Sequence, residues 1–269
     1  MGDVRSVLVS PGSCLRVCVC VCVCPLVTHN SRCASQILSI PCVLCRLFLS
    51  YAHRTNGQIC SSTSRLLIDK RVAKRFVARL VEETRKIRIG DPTAEGTKLG
   101  PLVSRAQQQK VLGFVERAVE AGARLLCGGG RPASQRSGWF VEPTVLEVEP
   151  SMEIWQEEVF GPVLSVVAFD SEADAVQLAN ASRYGLGAAV FSSDDARLQR
   201  VTRALQAGIV WNNCSQPCFT QLPWGGFKQS GIGRELGRFG LDGFLEPKQI
   251  CKYVSGNHFG WYFEPTSKL

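Results

Sequence analysis

The chain has 269 residues, of which 45% are hydrophobic and 20% charged, and its formal net charge is +8. These values are typical of a globular protein with one large domain or two small ones. They exclude a short, disulfide-framed secreted domain, since the chain is long and only five of its thirteen cysteines follow residue 53. Lys and Arg form no cluster with interleaved aromatic residues, so nucleic acid is not an expected partner.

Residues 1–53 differ from the rest in composition. They hold eight cysteines, four of them in the repeat RVCVCVCVCPLV. A buried strand could alternate Val and Cys, but two apolar faces would leave its register undefined. A translated GT tract gives the same repeat. We therefore expect 1–53 to be a low-complexity extension that is disordered or artefactual, arising from translated non-coding sequence.

Other interpretations of this extension have less support. The stretch 17–27 could be the core of a signal peptide, but its flanks are poor. The stretch 36–52 is interrupted by Pro41 and Arg46 and is too short to span a membrane. Cys42 and Cys45 have zinc-ligand spacing, but no second Cys/His pair follows at a suitable distance. We expect neither a membrane nor a metal partner.

From residue 54 onward, helical and strand patterns alternate. The segments 69–89 and 104–121 have the apolar spacing of amphipathic helices, and Ser104 is a suitable N-cap for the second. Further helices are predicted at 171–182 and 194–206, and strands at 124–127, 161–170, 186–191 and 208–212. This order predicts a catalytic α/β domain over 54–246 with a largely parallel sheet.

The end of the chain has a different pattern. After Pro247, the segment KQICKYVSG alternates like a strand, and a lone strand needs a partner. We expect 247–257 to be an oligomerisation strand that adds to another sheet, such as that of a partner subunit. The tail 258–269 ends in Ser267, Lys268 and Leu269, a peroxisomal address read by an import receptor. Localisation is then the peroxisome, or the cytoplasm if the tripeptide occurs by chance.

Cys60, in TNGQICSSTSRLL, has the surroundings of a nucleophile. Asn56-Gly57 marks a turn, and four hydroxyl residues lead from Cys60 into what is predicted to be a helix. At a helix start, free backbone N–H groups and the helix dipole would stabilise the thiolate and an oxyanion. That arrangement suits attack on a carbonyl carbon. The alternative is a small buried thiol.

Two further segments contain candidate binding residues. Glu158 lies two residues before Phe160, and such a pair could bind a ribose hydroxyl and wall a ring; the alternative is a plain acidic turn. The segment 212–237 is long and rich in Gly, Pro and aromatic residues, which is typical of functional loops. Its GIGRELG fails the dinucleotide fingerprint on spacing and is predicted to enter a helix.

Several motifs in this order resemble the aldehyde dehydrogenase superfamily: TNGQICSSTSRLLI, GDPT, GPLVS, EEVFGPVL, YGLGAAVFS and PWGGFKQSGIGRELG. The resemblance covers roughly 55–253. WNNCSQPCF and the SKL ending are similar to the plant-type betaine-aldehyde and aminoaldehyde dehydrogenases. The resemblance implies a catalytic α/β domain, a carboxyl-terminal oligomerisation strand, NAD as cofactor, a small aldehyde as substrate and a homo-oligomer.

The resemblance also implies a role for individual residues. Cys60 matches the nucleophile, which would form a thiohemiacetal and then a thioester. Glu158 matches the residue that holds the nicotinamide ribose, and Phe160 the aromatic beside the ring. Trp224 matches a wall of the aromatic box for an ammonium head, with Cys218 lining the same pocket. Cation–π attraction is the reason for an aromatic there.

The sequence also departs from the family pattern. The family has an upstream Rossmann-type cofactor domain, a general-base Glu in a Gly-Gly-Lys stretch and an oxyanion-hole Asn, and His53-Arg54 replaces its aromatic before the turn. We expect the cofactor domain to be missing and the 269-residue chain alone to show no NAD-dependent oxidation. The alternatives to a dehydrogenase are an inactive fragment that associates with full-length subunits and a thioesterase or esterase that uses Cys60 without cofactor.

Overall fold

The computed structural model describes residues 18–22 and 54–254, and a seven-stranded sheet forms its centre. Five of the six strand pairings in this sheet are parallel, and the β3–β4 pair at one end is antiparallel. The strands, in their order across the sheet, are β3 (Arg124–Cys127), β4 (Thr144–Glu147), β5 (Val163–Phe169), β2 (Thr63–Asp69), β1 (Cys18–Cys22), β7 (Gly187–Phe191) and β8 (Ile209–Asn212).

Two short strands and six helices complete the described part. The strands β6 (Tyr184–Gly185) and β9 (Phe227–Lys228) form an antiparallel pair. The helices are α1 (Lys70–Arg85), α2 (Arg105–Glu120), α3 (Glu153–Gln156), α4 (Glu172–Asn180), α5 (Asp195–Ala204) and α6 (Gly237–Asp242). The expected α/β architecture with a largely parallel sheet is confirmed. None of these helices is both long and apolar enough to cross a bilayer.

Strand β2 shows why the sheet forms the core. Leu66, Leu67 and Ile68 are all fully buried. Leu66 and Ile68 pack with Phe76 and Leu80 of α1, whereas Leu67 packs in a second cluster on the opposite side. Consecutive strand residues point to opposite faces, so this apolar run is what a strand covered on both faces requires.

Strand β1 differs from the expectation of an extension without structure. Cys18–Cys22 pairs in parallel with β2 on one side and β7 on the other. An apolar, partly β-branched segment suits this central slot, because both faces of a central parallel strand are covered. The register of β1 is therefore defined by its pairing with β2 and β7, and it needs no alternation of polar and apolar faces. Residues 1–17 and 23–53, which include Cys42 and Cys45, lie outside the described residues.

The predicted helix after Cys60 is wrong. Residues Thr63–Asp69 form β2, and the first helix begins at Lys70. Asp69 is the N-cap of α1, and its carboxylate accepts a hydrogen bond of 2.9 Å from the Arg71 amide. The helix therefore starts at the residue whose side chain satisfies a free amide. Ser104 caps α2 in the same manner, as predicted.

The carboxyl-terminal segment forms no strand within the described chain. Residues 247–254 make no ladder with any strand described here, and Ile250 is 83% exposed. Pairing of 247–257 with a partner subunit stays a prediction. Ser267, Lys268 and Leu269 lie outside the described residues.

Candidate functional site

Cys60 lies in a tight turn that leads into the central strand β2. The Ser62 amide donates a 2.9 Å hydrogen bond to the Ile59 carbonyl, so Cys60 and Ser61 are the two central residues of this turn. The Cys60 side chain is half-buried. A thiol at the amino end of a buried strand is held by the sheet itself, and its position does not depend on a helix.

The residues before this turn have an unusual backbone. Thr55, Asn56 and Gly57 have φ angles of 50°, 60° and 71°. At Gly57 an added Cβ would lie 2.0 Å from the Gly161 carbonyl oxygen. Only glycine allows this approach. The Cys60 turn and the segment that contains Glu158 and Phe160 are thus in direct backbone contact.

Side chains of the same segment bind a third part of the chain. The Asn56 amide donates to the Pro101 carbonyl at 2.8 Å and accepts from the Gly100 amide at 3.0 Å. The Gln58 side chain accepts from the Val103 amide at 3.1 Å. These bonds join residues 44 or 45 positions apart, so the sequence, which marked Asn56-Gly57 only as a turn, gave no signal for these contacts. They fix the approach to Cys60 on its amino-terminal side.

Glu158 and Phe160 lie beside the Cys60 turn. They line one small cavity together with Gly57, Ile59, Ser62, Thr63, Ser64 and Gly161. Helix α2 positions this segment, since Gln107 donates to the Phe160 carbonyl at 2.8 Å and Lys110 to the Glu158 carbonyl at 3.2 Å. The structure therefore places Glu158 and Phe160 beside Ile59 and Ser62 of the Cys60 turn, whereas Cys60 itself does not line this cavity. It adds Gln107 and Lys110, which the sequence did not single out.

The two adjacent glutamates have different surroundings. Glu157 pairs with Arg183, and it also accepts a hydrogen bond of 3.3 Å from the Tyr184 hydroxyl. Burial raises the pKa of Tyr184, which keeps this hydroxyl a donor. Glu158 is only 8% exposed and lines the cavity at the Cys60 turn. Glu157 is thus a structural partner of Arg183, and Glu158 is the carboxylate at the site.

Lys228 of β9 is a charged group with an altered pKa. Burial lowers the pKa of the Lys228 ammonium, and the nearby Arg65 charge lowers it further. Lys228 donates to the carbonyls of Asn180 and Ser182 at 2.7 and 2.9 Å. These two carbonyl acceptors join β9 to the end of α4 and the residues that follow it.

Trp224 and Cys218 lie on the loop that follows β8. Trp224 is half-buried and packs against Trp211, with ring centroids 6.1 Å apart and a tilt of 56°. The Trp211 indole donates to the Pro217 carbonyl at 3.0 Å, and Cys218, the next residue, is exposed. Gln216 of the same loop bonds to Ser61, beside Cys60. Trp224 therefore reaches the Cys60 turn through a chain of contacts.

Comparison with solved structures gives close similarity to betaine aldehyde dehydrogenases. The enzyme of Staphylococcus aureus in complex with NAD+ has a TM-score of 0.76 and 37% identity, covering 86% of this chain and 44% of that one. An apo point mutant of the same enzyme has a TM-score of 0.80 and 36% identity, covering 93% and 48%.

Comparison with curated proteins gives plant relatives. Aminoaldehyde dehydrogenase 2, peroxisomal, of Malus domestica is 57% identical over 213 residues, which are 79% of this chain and 42% of that protein. Betaine aldehyde dehydrogenase, chloroplastic, of Beta vulgaris is 51% identical over 212 residues, 78% and 42%. The chain thus spans less than half the length of these relatives. The model of the aldehyde dehydrogenase family matches residues 46–250, and the chain belongs to that family.

Proposed function

We propose that this site oxidises an ammonium-bearing aldehyde to the carboxylic acid with NAD, and that Cys60 is the nucleophile. One observation carries the proposal: the Cys60 turn and the Glu158–Phe160 segment touch through Gly57 and Gly161 and share a cavity. A buried carboxylate and an aromatic ring in a cavity that is also lined by Ile59 and Ser62, the two ends of the turn that carries the thiol, fit a covalent reaction beside a bound nucleotide.

The chemical steps follow from the position of the thiol. The Cys60 thiolate forms a bond to the aldehyde carbon, and the carbonyl oxygen takes the negative charge. The backbone N–H of Cys60 is the donor proposed for that oxygen. As the oxygen re-forms its double bond, a hydride leaves the carbon and a thioester on Cys60 remains. Water then attacks the thioester, the C–S bond breaks, and the acid is released with the thiol restored.

The residues at the cavity fit a nicotinamide ribose. An ionised carboxylate only accepts hydrogen bonds, and ribose hydroxyls donate them, so Glu158 would hold the sugar. Phe160 would lie beside the nicotinamide ring. Bound NAD would accept the hydride from the substrate carbon. The Staphylococcus aureus relatives with 35 to 37% identity were solved in complex with NAD+, which supports this assignment.

The substrate class rests on Trp224, with Cys218 lining the same pocket. Trp224 is held in place by Trp211 and by a pair of backbone hydrogen bonds to Glu235 of 2.7 and 2.8 Å. A fixed indole face attracts a cation through its quadrupole. The relatives are named aminoaldehyde and betaine aldehyde dehydrogenases, whose substrates carry an ammonium group.

We also propose an assembly and a location. Residues 247–257 would pair with a strand of a partner subunit, because Ile250 and Val254 are more than 80% exposed in the single chain. Ser267, Lys268 and Leu269 would direct the chain to the peroxisome through its import receptor. Relatives from Malus domestica and Pisum sativum are named peroxisomal, although that from Beta vulgaris is named chloroplastic. The exposure of Ile250 and Val254 also fits a second candidate function, in which the chain associates with full-length subunits without catalysing a reaction.

A hybrid chain tests the catalytic role. The upstream part of the Malus domestica enzyme is joined to residues 54–269, and NADH formation from an aminoaldehyde is measured. Cys60→Ala is expected to abolish NADH formation and to leave NAD binding unchanged, because only the thiolate supplies the covalent step. Cys214→Ala, which removes an exposed thiol near the site, is the matched control and should remain active. Turnover by Cys60→Ala would remove Cys60 from the mechanism, and an inactive hybrid with intact NAD binding would favour the non-catalytic function.

A further inference from the structure

We propose that Gln216 is a positioning residue that holds the Cys60 turn in its reactive shape; this inference rests on the proposed role of Cys60. Gln216 lies 155 residues from Ser61, yet the two side chains meet beside the thiol. Ser61 is the residue after Cys60 and the second central residue of the same turn. A contact that fixes Ser61 therefore fixes the peptide that follows Cys60.

The contact consists of two hydrogen bonds in opposite directions. The Ser61 hydroxyl donates to Gln216 Oε1 at 2.7 Å, and Gln216 Nε2 donates to the Ser61 carbonyl. A flipped amide would set two acceptors, Oε1 and the carbonyl oxygen, against each other. The pair therefore specifies one orientation of the amide and one position of the Ser61 peptide.

The loop that carries Gln216 is itself anchored at both ends. Asn213 binds both backbone groups of Ser192, accepting from its amide at 2.9 Å and donating to its carbonyl at 3.0 Å. The Trp211 indole holds the Pro217 carbonyl at 3.0 Å. Asn213 and Gln216 have φ angles of 53° and 73°, a region that non-glycine residues rarely adopt. Such a backbone persists where the surroundings fix it.

These anchors connect the nucleophile to the substrate side of the site. Pro217 precedes Cys218, and Trp211 packs against Trp224, the proposed wall for the ammonium group. Gln216 is thus a side chain through which this loop contacts the Cys60 turn. A small displacement of a nucleophile is enough to lower a reaction rate, so a residue that holds the turn acts on catalysis without touching the substrate.

Hydrogen exchange of the whole 269-residue chain tests this role directly. The Ser62 amide closes the Cys60 turn, so its protection reports how firmly the turn is held. Gln216→Ala is expected to lower that protection roughly 5- to 30-fold, as the loss of one or two hydrogen bonds predicts. Alkylation of the half-buried Cys60 should become faster in the same variant, while alkylation of Cys127 should not change. Gln221→Ala, an exposed glutamine of the same loop, is the matched control and should leave both rates unchanged.

Gln216→Glu tests whether the hydrogen bonds of the side chain, and not its bulk, hold the turn. A protonated carboxyl can accept from the Ser61 hydroxyl and donate to the Ser61 carbonyl, as the amide does, whereas a carboxylate cannot donate. Protection of the Ser62 amide, corrected for the intrinsic pH dependence of exchange, should match wild type below the pKa of the introduced Glu and match Gln216→Ala above it.

Three results overturn the proposal: protection in Gln216→Ala equal to that in Gln221→Ala, no pH dependence in Gln216→Glu, or a Ser62 amide that is unprotected in the wild type. If Gln216→Ala does not fold, the isosteric Gln216→Glu alone decides. Neither measurement depends on turnover, so failure of the proposed dehydrogenase activity would be seen separately, in the hybrid chain.

Discussion

The Cys60 turn and the carboxyl-terminal segment 237–254 differ in how many contacts they make with the rest of the described chain. In the turn, Ser61 bonds to a distant part of the chain, and so do Asn56 and Gln58 just before it, where Gly57 also packs against the Gly161 backbone. In the segment 237–254, the large apolar side chains are exposed: Phe239, Leu241, Phe244, Leu245, Ile250, Tyr253 and Val254.

This difference separates a region whose conformation the described residues determine from a region whose apolar side chains they leave exposed. The conformation of the turn follows from contacts within the described residues, so single substitutions there should change stability or reactivity. The segment 237–254 presents apolar surface that the described chain does not cover. Substitutions there should affect association and leave the stability of the single chain nearly unchanged.

The largest expected effect is at the turn. Gly57→Ala should lower the free energy of unfolding by about 2–4 kcal/mol, because the new Cβ meets the Gly161 carbonyl in addition to adopting a positive φ. Urea unfolding measures the loss. Gly122→Ala is the matched control, since Gly122 has a φ of +96° with nothing within 4 Å of the added Cβ. Equal losses in the two variants would mean that the contact with Gly161 is not tight.

Trp224 lies in the sequence between the Cys60 turn and the segment 237–254. Its replacement tests the proposed substrate class. In the hybrid chain, Trp224→Ala should raise the KM for an ammonium-bearing aldehyde about 2- to 30-fold more than the KM for a neutral aldehyde of similar size, because only the cation loses its attraction to the ring. Steady-state kinetics with both substrates measure the ratio. An equal rise for both would make Trp224 a packing partner of Trp211 only.

The end of β2 offers a pH-dependent test of the anchored region. Arg71 holds the pKa of Asp69 below its ordinary value, against the opposing effect of burial. The stability that the carboxylate provides is thus present above the ordinary pKa of Asp and is lost as the pH falls through the lowered value. Asp69→Ala should cost about 1–2 kcal/mol at neutral pH, and the difference from wild type should shrink below about pH 4. A loss that does not depend on pH would contradict this account.

The smallest expected effect on stability is in the segment 237–254. Leu245 is 58% exposed, so Leu245→Asp should change the free energy of unfolding of the single chain by no more than about 0.5 kcal/mol. The same change should weaken self-association, measured by light scattering, while Ile232→Asp at a wholly exposed position outside the segment should not. A large loss of stability in Leu245→Asp would show that the segment packs on its own chain.

The α/β pattern was readable from the sequence because each element carries its own periodicity. Strand 124–127 and the helix predicted at 171–182 were confirmed within the usual uncertainty at element ends. The prediction failed after Cys60, where a short apolar run fits a helix or a buried strand equally well. Asp69, an N-cap ahead of Lys70, was the local signal that the helix starts later.

The contacts that hold the site were not readable in this manner. Gln216 reaches Ser61 across 155 positions, and Asn56 reaches Pro101 across 45. Neither pair has a local pattern, because the bonds exist only once the sheet has brought the loops together. The strand Cys18–Cys22 was missed for a related reason: it pairs with β2 and β7, which lie far away in the sequence, and its own residues contain no signal for either pairing.

The most direct test of the central claim is to identify the residue that carries the thioester. The hybrid chain is mixed with NAD and an aminoaldehyde, quenched in acid during the first turnovers, and digested for peptide mass spectrometry. We expect an acyl group on the peptide that contains Cys60 and on no other cysteine peptide. An acyl group on Cys214 or Cys218, or NADH formation with no acylated cysteine, would contradict it.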